Sequence, residues 1–259
     1  MKEKNETNEK PVVFLKNVTK VIRRRTILDD ISFQVPYSKI YGLTGPNGSG
    51  KSMLLRAICG LIYTTKGSVS VFGKEVGKDV EFPDKTGVLI EKPGFLTYLS
   101  GMRNLELLAS IRNEIGKEEI REVIKLVGLD PDDKRPVRAY STGMIQRLGL
   151  AQALMEHPEL LLLDEPTSNL DRQGIASIHN LIKELNKNGT TIILTSPNEK
   201  ELEHICDRIF WIENGHLEQE PMQMQYTSLR DKYILAGKHK KGILGKFSKF
   251  TELFCLSGV

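Results

Sequence analysis

Eight consecutive residues carry the plainest chemistry in this chain. Gly45-Pro46-Asn47-Gly48-Ser49-Gly50-Lys51-Ser52 fits G-x-x-x-x-G-K-[ST], the pattern of a phosphate-binding loop. Its glycines let the backbone wrap closely, so that amide N–H groups converge on phosphate oxygens. A helix beginning beside Lys51 adds its positive N-terminal end. Lys51 is suited to reach β- and γ-phosphates, Ser52 to place its hydroxyl on Mg²⁺, and Met53 continues the binding stretch. The expected ligand is a nucleoside triphosphate, ATP with Mg²⁺. The second constellation is Asp164-Glu165, directly after the apolar run Leu160-Leu161-Leu162-Leu163. Ligands of open parallel sheets gather at the carboxyl ends of strands. Asp164 can there hold Mg²⁺ through water, and Glu165 can take a proton from the water that attacks the γ-phosphate.

Such residues need a sheet and helices to aim them. Residues 40–44 read as a strand running straight into the loop, and 52–60 as a helix with Leu54, Leu55 and Ile58 apolar. Further strands are expected at 12–17, 31–35 and 67–73. The runs 160–163 and 190–194 are apolar throughout, as strands buried on both faces are. Residues 208–211 and 216–218 flank Glu213-Asn214-Gly215, a hairpin signal. Between the two constellations the pattern turns helical: 100–113, capped by Ser100, then 117–127, closed by Gly128, then 142–155. A last helix is expected at 175–186. The stretch from about 92 to 155 therefore reads as a helical insertion.

Composition narrows the function classes. With 259 residues, 37 basic and 33 acidic, the formal charge of +4 is too small and too mixed to argue for nucleic acid. Cys59, Cys206 and Cys255 are few and far apart, so neither a disulfide framework nor a metal cluster emerges. No apolar run approaches the roughly 20 residues of a membrane span. Residues 1–10 are polar and expected to be disordered, without a signal-peptide core. Residues 221–259 form a basic tail. There Ile243, Phe247, Phe250 and Phe254 recur at helical spacing, suited either to an anionic membrane surface or to packing on protein.

Between the loop and the acidic pair stands Tyr140-Ser141-Thr142-Gly143-Met144, continued by Gln146-Arg147-Leu148-Gly149-Leu150-Ala151-Gln152-Ala153-Leu154. After the pair comes Pro166-Thr167-Ser168-Asn169-Leu170-Asp171. In order and separation these motifs resemble the signature and D-loop of ABC-type ATPases, over roughly residues 12–218. The resemblance implies an α/β fold: a P-loop NTPase core with a mixed sheet, an antiparallel β subdomain and an inserted helical subdomain. It implies a nucleotide-binding domain over about 11–220 that works as a head-to-tail pair, homodimeric or heterodimeric. Ser141, Thr142, Gly143 and Met144 would meet the partner's ATP. Thr142 stands where many relatives have glycine.

Glu91 stands where most relatives carry a glutamine that touches Mg²⁺ and links to the membrane subunit. The run Val88-Leu89-Ile90-Glu91-Lys92-Pro93-Gly94-Phe95 resembles the glutamate variant of bacitracin- and lantibiotic-type exporters. Glu91 would then join Ser52 and Asp164 as a metal ligand, unless it is an ordinary surface glutamate.

Two positions depart from the family pattern. Relatives stack the adenine on an aromatic residue; here Ile22 takes that place, followed by Arg23, Arg24 and Arg25. Either Ile22 offers an apolar slab, or an arginine plane stacks on the base, or the arginines are a solvated loop. Relatives also carry a histidine on the γ-phosphate after the strand 190–194. Here Thr195-Ser196-Pro197-Asn198-Glu199 puts proline there, which has no N–H to donate. Ser196 or Asn198 can replace it in part, and slow hydrolysis is expected despite Glu165.

The function implied is the ATP-binding and hydrolysing subunit of a membrane transporter, at the cytoplasmic face of the membrane. It would serve a separate transmembrane permease and export a peptide antibiotic or hydrophobic compound. A soluble relative acting on DNA or ribosomes would be expected to show a coiled coil or a second such domain. A binding module driven by ATP-dependent pairing is the third class.

Overall fold

The structure is a computed structural model that describes residues 11–91 and 93–219. The start at 1–10 and the tail from 221 lie outside the described residues. The elements run β1 (Val13–Ile22), β2 (Arg25–Val35), β3 (Ile40–Thr44), α1 (Lys51–Ile58), β4 (Lys66–Val71), β5 (Lys74–Glu75), β6 (Thr86–Leu89), α2 (Gly101–Arg112), α3 (Lys117–Leu126), α4 (Thr142–Leu154), β7 (Leu160–Asp164), α5 (Arg172–Lys187), β8 (Thr191–Thr195), α6 (Glu199–Glu203), β9 (Arg208–Glu213) and β10 (His216–Gln219).

They form two sheets. One is antiparallel, in the order β2-β1-β4-β5; the other follows β10-β9-β3-β8-β7-β6. In the second, β9, β3, β8, β7 and β6 pair in parallel, and β10 returns antiparallel to β9. The apolar runs explain the centre. Residues of β3 and β8 are buried throughout, and Leu160 to Leu163 of β7 are inaccessible. Alternation sends their side chains to opposite faces. Leu161, Leu163, Ile192 and Leu194 join the core with α2, α3 and α4. Leu160, Leu162 and Ile193 join the core with α1 and the antiparallel sheet.

Strands β1 and β2 of the antiparallel sheet are longer than their apolar patterns suggest, whereas β4 ends at Val71, before the expected 73. In β1 the pairing shifts between Leu15 and Val18, and Asn17 takes φ 49° with its amide donating to Asp30 Oδ1 at 2.8 Å. Such a bulge lets the ladder resume beyond a polar interruption. The ladder then runs to Ile22, paired with Arg25 across Arg23 and Arg24 at φ 47° and 66°. Two consecutive positive φ values make this a tight hairpin turn. The three arginines thus divide between a turn and the first position of β2, where they are exposed.

The helical stretch contains α2, α3 and α4, with 93–100 irregular. Ser100 caps α2, its hydroxyl accepting from Arg103 N, and Asn113 closes the helix in the left-handed conformation. Buried Asn104 holds the irregular segment, accepting from Leu96 N at 2.7 Å and donating to Leu96 O at 3.1 Å. Strand β6 escaped the sequence reading because Gly87 interrupts a four-residue run. The reason for that glycine lies in packing: a Cβ there would sit 2.0 Å from Ala153 O of α4. Likewise a Cβ on Gly149 of α4 would lie 2.4 Å from Pro93. The two glycines let α4 lie directly on the sheet edge. Among the described residues no helix is long and apolar enough to cross a membrane.

Candidate nucleotide-binding site

The loop leaves β3 with three glycines in conformations unsuited to other residues: Gly45 at φ 141°, Gly48 at 76° and Gly50 at 115°. Two of them are also crowded, Gly45 to the point of a clash. A Cβ on Gly45 would lie 2.0 Å from Ile212 O, and one on Gly50 3.0 Å from Ile27 O. At Gly48 nothing lies within 4 Å, so the hollow there is open. The β9–β10 turn supports the loop, with Gly215 N donating to Ser49 O at 3.0 Å.

Lys51 folds into this loop and is only 6% exposed. Its ammonium donates to Gly45 O at 2.8 Å and Pro46 O at 3.0 Å. Burial pushes it below the ordinary lysine value, against the charges of Glu165 and then Asp164, which pull it up. The acidic pair and the loop therefore share one electrostatic neighbourhood. Helix α1 starts at Gly50 without a side-chain cap, and its first internal bond runs from Leu54 N to Gly50 O at 2.9 Å. The N–H groups of Lys51, Ser52 and Met53 precede that bond and leave the helix end free for an anion. The open hollow at Gly48, the uncapped amides and the buried ammonium fit a chain of phosphates.

The acid pair is held as firmly as the loop. Asp164 pairs with Thr195 across the β7–β8 ladder. The Thr195 hydroxyl donates to Asp164 Oδ1 at 2.6 Å and accepts from Glu165 N at 3.0 Å. Glu165 adopts φ 48°, a conformation that costs a non-glycine residue about 1–3 kcal/mol and persists only where the surroundings enforce it. A second restraint comes from α4, where Gln146 Nε2 donates to Glu165 O and Pro166 O, both at 3.2 Å. Neither Thr195 nor Gln146 was singled out for a role in the sequence. A polar residue ending an apolar strand beside Asp164 was the available signal for Thr195; nothing local marks Gln146.

Ser141 is the N-cap of α4, its hydroxyl accepting from Met144 N at 3.2 Å, with Thr142 and Gly143 in the first turn. Ser141 and Thr142 are exposed, and Gly143 lies against Leu170 of the stretch after the acid pair. Glu91 sits at φ 65°, exposed, its carboxylate engaged by the Arg56 guanidinium of α1. Ile22 ends β1, half-buried at the hairpin tip.

The segment after β8 is committed elsewhere. Ser196 is buried, its hydroxyl donating to Glu201 Oε2 at 2.8 Å and accepting from Asn198 N at 3.1 Å. Of the two residues able to replace the missing histidine, Ser196 is thus engaged inside the protein, while Pro197 and Asn198 are exposed. His204 closes α6.

A glycine-wrapped lysine, an uncapped helix end and two carboxylates at the carboxyl edge of a parallel sheet define a phosphate-loop nucleotide-binding protein. The profile of the ABC transporter family matches residues 28–168. The chain is 41% identical over 202 residues to the uncharacterized ABC transporter ATP-binding protein YybJ of Bacillus subtilis, covering 78% of this chain and 93% of that protein. It is 39% identical over 211 residues to the bacitracin transport ATP-binding protein BcrA of Enterococcus faecalis, covering 81% and 68%. To the lantibiotic transport ATP-binding protein SrtF of Streptococcus pyogenes it is 37% identical over 204 residues, covering 78% and 87%. The dimeric structure of MJ0796, a bacterial ABC transporter cassette, superposes with a TM-score of 0.72 at 24% identity, covering 80% of this chain and 98% of that one. The chain belongs to the ABC transporter family, as an ATP-binding protein with the ABC ATPase fold.

Proposed function

We propose that this chain is the ATPase subunit of an exporter for a peptide antibiotic or similar hydrophobic compound. Two of its relatives are named for bacitracin and lantibiotic transport, and the run around Glu91 resembles the glutamate variant of that group. The chain works in a head-to-tail pair on the cytoplasmic face of the membrane, beside a separate permease. In each site the loop residues Gly45 to Met53 bind the phosphates, with Ile22 beside the base. Ser141, Thr142, Gly143 and Met144 of the other subunit close the site.

The observation that carries this reading is the acid pair locked by Thr195 in the same electrostatic neighbourhood as Lys51. Glu165 accepts the proton of the attacking water, and the loop amides and Lys51 hold the phosphate charge. Ser52, Asp164 and Glu91 are the residues that would hold Mg²⁺, which when bound neutralises phosphate charge. Hydrolysis is slow, because Pro197 cannot donate and the Ser196 hydroxyl is spent on Glu201.

The test is turnover and pairing of the purified chain. Glu165→Gln is expected to abolish hydrolysis, retain ATP binding and accumulate an ATP-dependent dimer on size exclusion. Unaltered hydrolysis in that variant would sink the assignment. The exporter reading predicts that the chain co-purifies with a multi-span membrane protein, and recovery without one counts against it.

A further inference from the structure

One carboxylate outside the loop and the acid pair gathers hydrogen bonds from three different elements. Glu201 of α6 accepts from Thr167 Oγ1 at 2.5 Å and from His179 Nε2 at 2.9 Å, both on Oε1. Its Oε2 accepts from Ser196 Oγ at 2.8 Å. The side chain is 12% exposed and that of His179, on α5, 15%. Burial by itself would raise the Glu201 carboxyl, but the bonds from His179, Thr167 and Ser196 outweigh it and hold it below the ordinary glutamate value. The group is therefore a carboxylate at neutral pH, with every donor aimed at it.

The positions of the donors matter more than their number. Thr167 lies two residues after Glu165, on the segment leaving β7. Ser196 adjoins Thr195, on the segment leaving β8, and Thr195 is the residue that accepts the Glu165 N–H. One carboxylate thus grips the chain on both sides of the restraint that sets Glu165 at φ 48°. The β7–β8 ladder itself closes at Asp164 and Thr195, so the Glu201 bonds lie beyond its end.

We propose that Glu201 is a positioning residue for ATP hydrolysis: by holding Thr167 and Ser196 together it fixes the backbone that aims Glu165. This rests on the reading of Glu165 as the proton acceptor. Glu201 touches no nucleotide atom in this role, so its loss alters turnover without altering ATP affinity. The same clamp keeps the Ser196 hydroxyl engaged inside the protein.

The experiment compares Glu201→Ala, Glu201→Gln, Thr167→Val and the double variant Thr167→Val/Glu201→Ala in the full chain, at temperatures well below the lowest melting transition. Glu201→Ala should lower kcat about tenfold with the Kd for ATP changed by less than about twofold. Glu201→Gln keeps an acceptor oxygen for Thr167 and His179, and its amide can donate to the Ser196 hydroxyl, so it should stay within about threefold of the parent. The double variant should be no slower than Glu201→Ala alone, because both remove the same clamp. Hydrogen–deuterium exchange without nucleotide should show faster exchange of the segment 165–168 in Glu201→Ala. Should Glu201→Ala fail to fold, Thr167→Val and Ser196→Ala carry the same test, each expected to lower kcat at unaltered Kd. The proposal falls if kcat is unaltered, if Kd rises in step with the loss of kcat, if Glu201→Gln is as slow as Glu201→Ala, or if the Thr167 and Glu201 effects add. Glu165→Gln measured in parallel separates the two claims: parental turnover in it would overturn the Glu165 reading whatever Glu201 does.

Discussion

The Thr195 hydroxyl donates a hydrogen bond to Asp164 Oδ1 at 2.6 Å while the same oxygen accepts one from the Glu165 amide at 3.0 Å. A single fully buried side chain therefore sets the position of one carboxylate and the backbone of the other.

Replacing Thr195 by valine keeps the shape and removes both bonds. It leaves a part-buried amide and carboxylate oxygen without these partners, at a cost of at most about 1–3 kcal/mol. Thr195→Val is expected to lower the melting temperature and to reduce ATP turnover at least about tenfold. Thr195→Ser, which keeps the hydroxyl, should restore most of the rate. Equal turnover in the two variants would show that the hydroxyl has no such function.

Gly45 and Gly48 separate folding from binding. At Gly45 a methyl would collide with Ile212 O, so Gly45→Ala should destabilise the fold by several times the roughly 1 kcal/mol of left-handed strain alone. At Gly48 the methyl meets open space, so only that strain applies. Gly48→Ala should therefore stay folded yet bind ATP at least about tenfold more weakly, its methyl standing in the phosphate hollow. Thermal melts and nucleotide titrations on both variants check this. A Gly48→Ala protein with parental affinity would place the phosphates elsewhere.

The depressed Lys51 gives binding a pH dependence with a definite sign. In the free protein burial favours the neutral amine, so the group loses its proton below the ordinary lysine value of 10.5. Bound phosphate favours the ammonium, so above the free-state pKa binding must take up a proton. Affinity for ATP should therefore fall as pH rises through that window, by at most about tenfold per pH unit for one proton. Titration with a fluorescent ATP analogue on the alkaline side measures it. Lys51→Arg, which does not titrate there, should bind with a flatter profile.

Restoring the missing donor is the direct test of slow turnover. Pro197→His places an imidazole where relatives of this family carry one, on an exposed position that the core does not constrain. An increase in kcat of about tenfold is expected, the scale of one added stabilising contact. No increase would mean that the segment after β8, tied down through Ser196, does not present residue 197 to the nucleotide.

The sequence made the loop and the acid pair legible because their chemistry is local. Glycine spacing dictates the wrap around Lys51, and four leucines followed by two acids mark a buried strand reaching its ligand edge. The parts that escaped are those whose cause is a distant partner. Gly87 broke the pattern of β6 on account of Ala153, sixty-six positions away by number but adjacent in space. Asn17 hid the length of β1 because a bulge is invisible to a count of alternating residues. Glu201 reads as one more charge in Glu199-Lys200-Glu201, and only the fold turns it toward Thr167, His179 and Ser196. Ser196 read as a possible donor to phosphate because its sequence neighbours said nothing of Glu201.

The seating of α4 on bare backbone at Gly87 has a mechanical consequence. A helix resting on side chains can rock by repacking them, whereas one resting on a carbonyl-to-glycine contact moves only with the strand beneath. Its exposed tip at Ser141 and the Gln146 amide that grips Glu165 O and Pro166 O are about 7.5 Å apart along a rigid rod. In the proposed head-to-tail pair, force applied at the tip would arrive at the carbonyls of that acid segment almost undamped. In that proposed pair the rod would make each chain a transmitter, its tip at one nucleotide pulling on the machinery that cleaves the other.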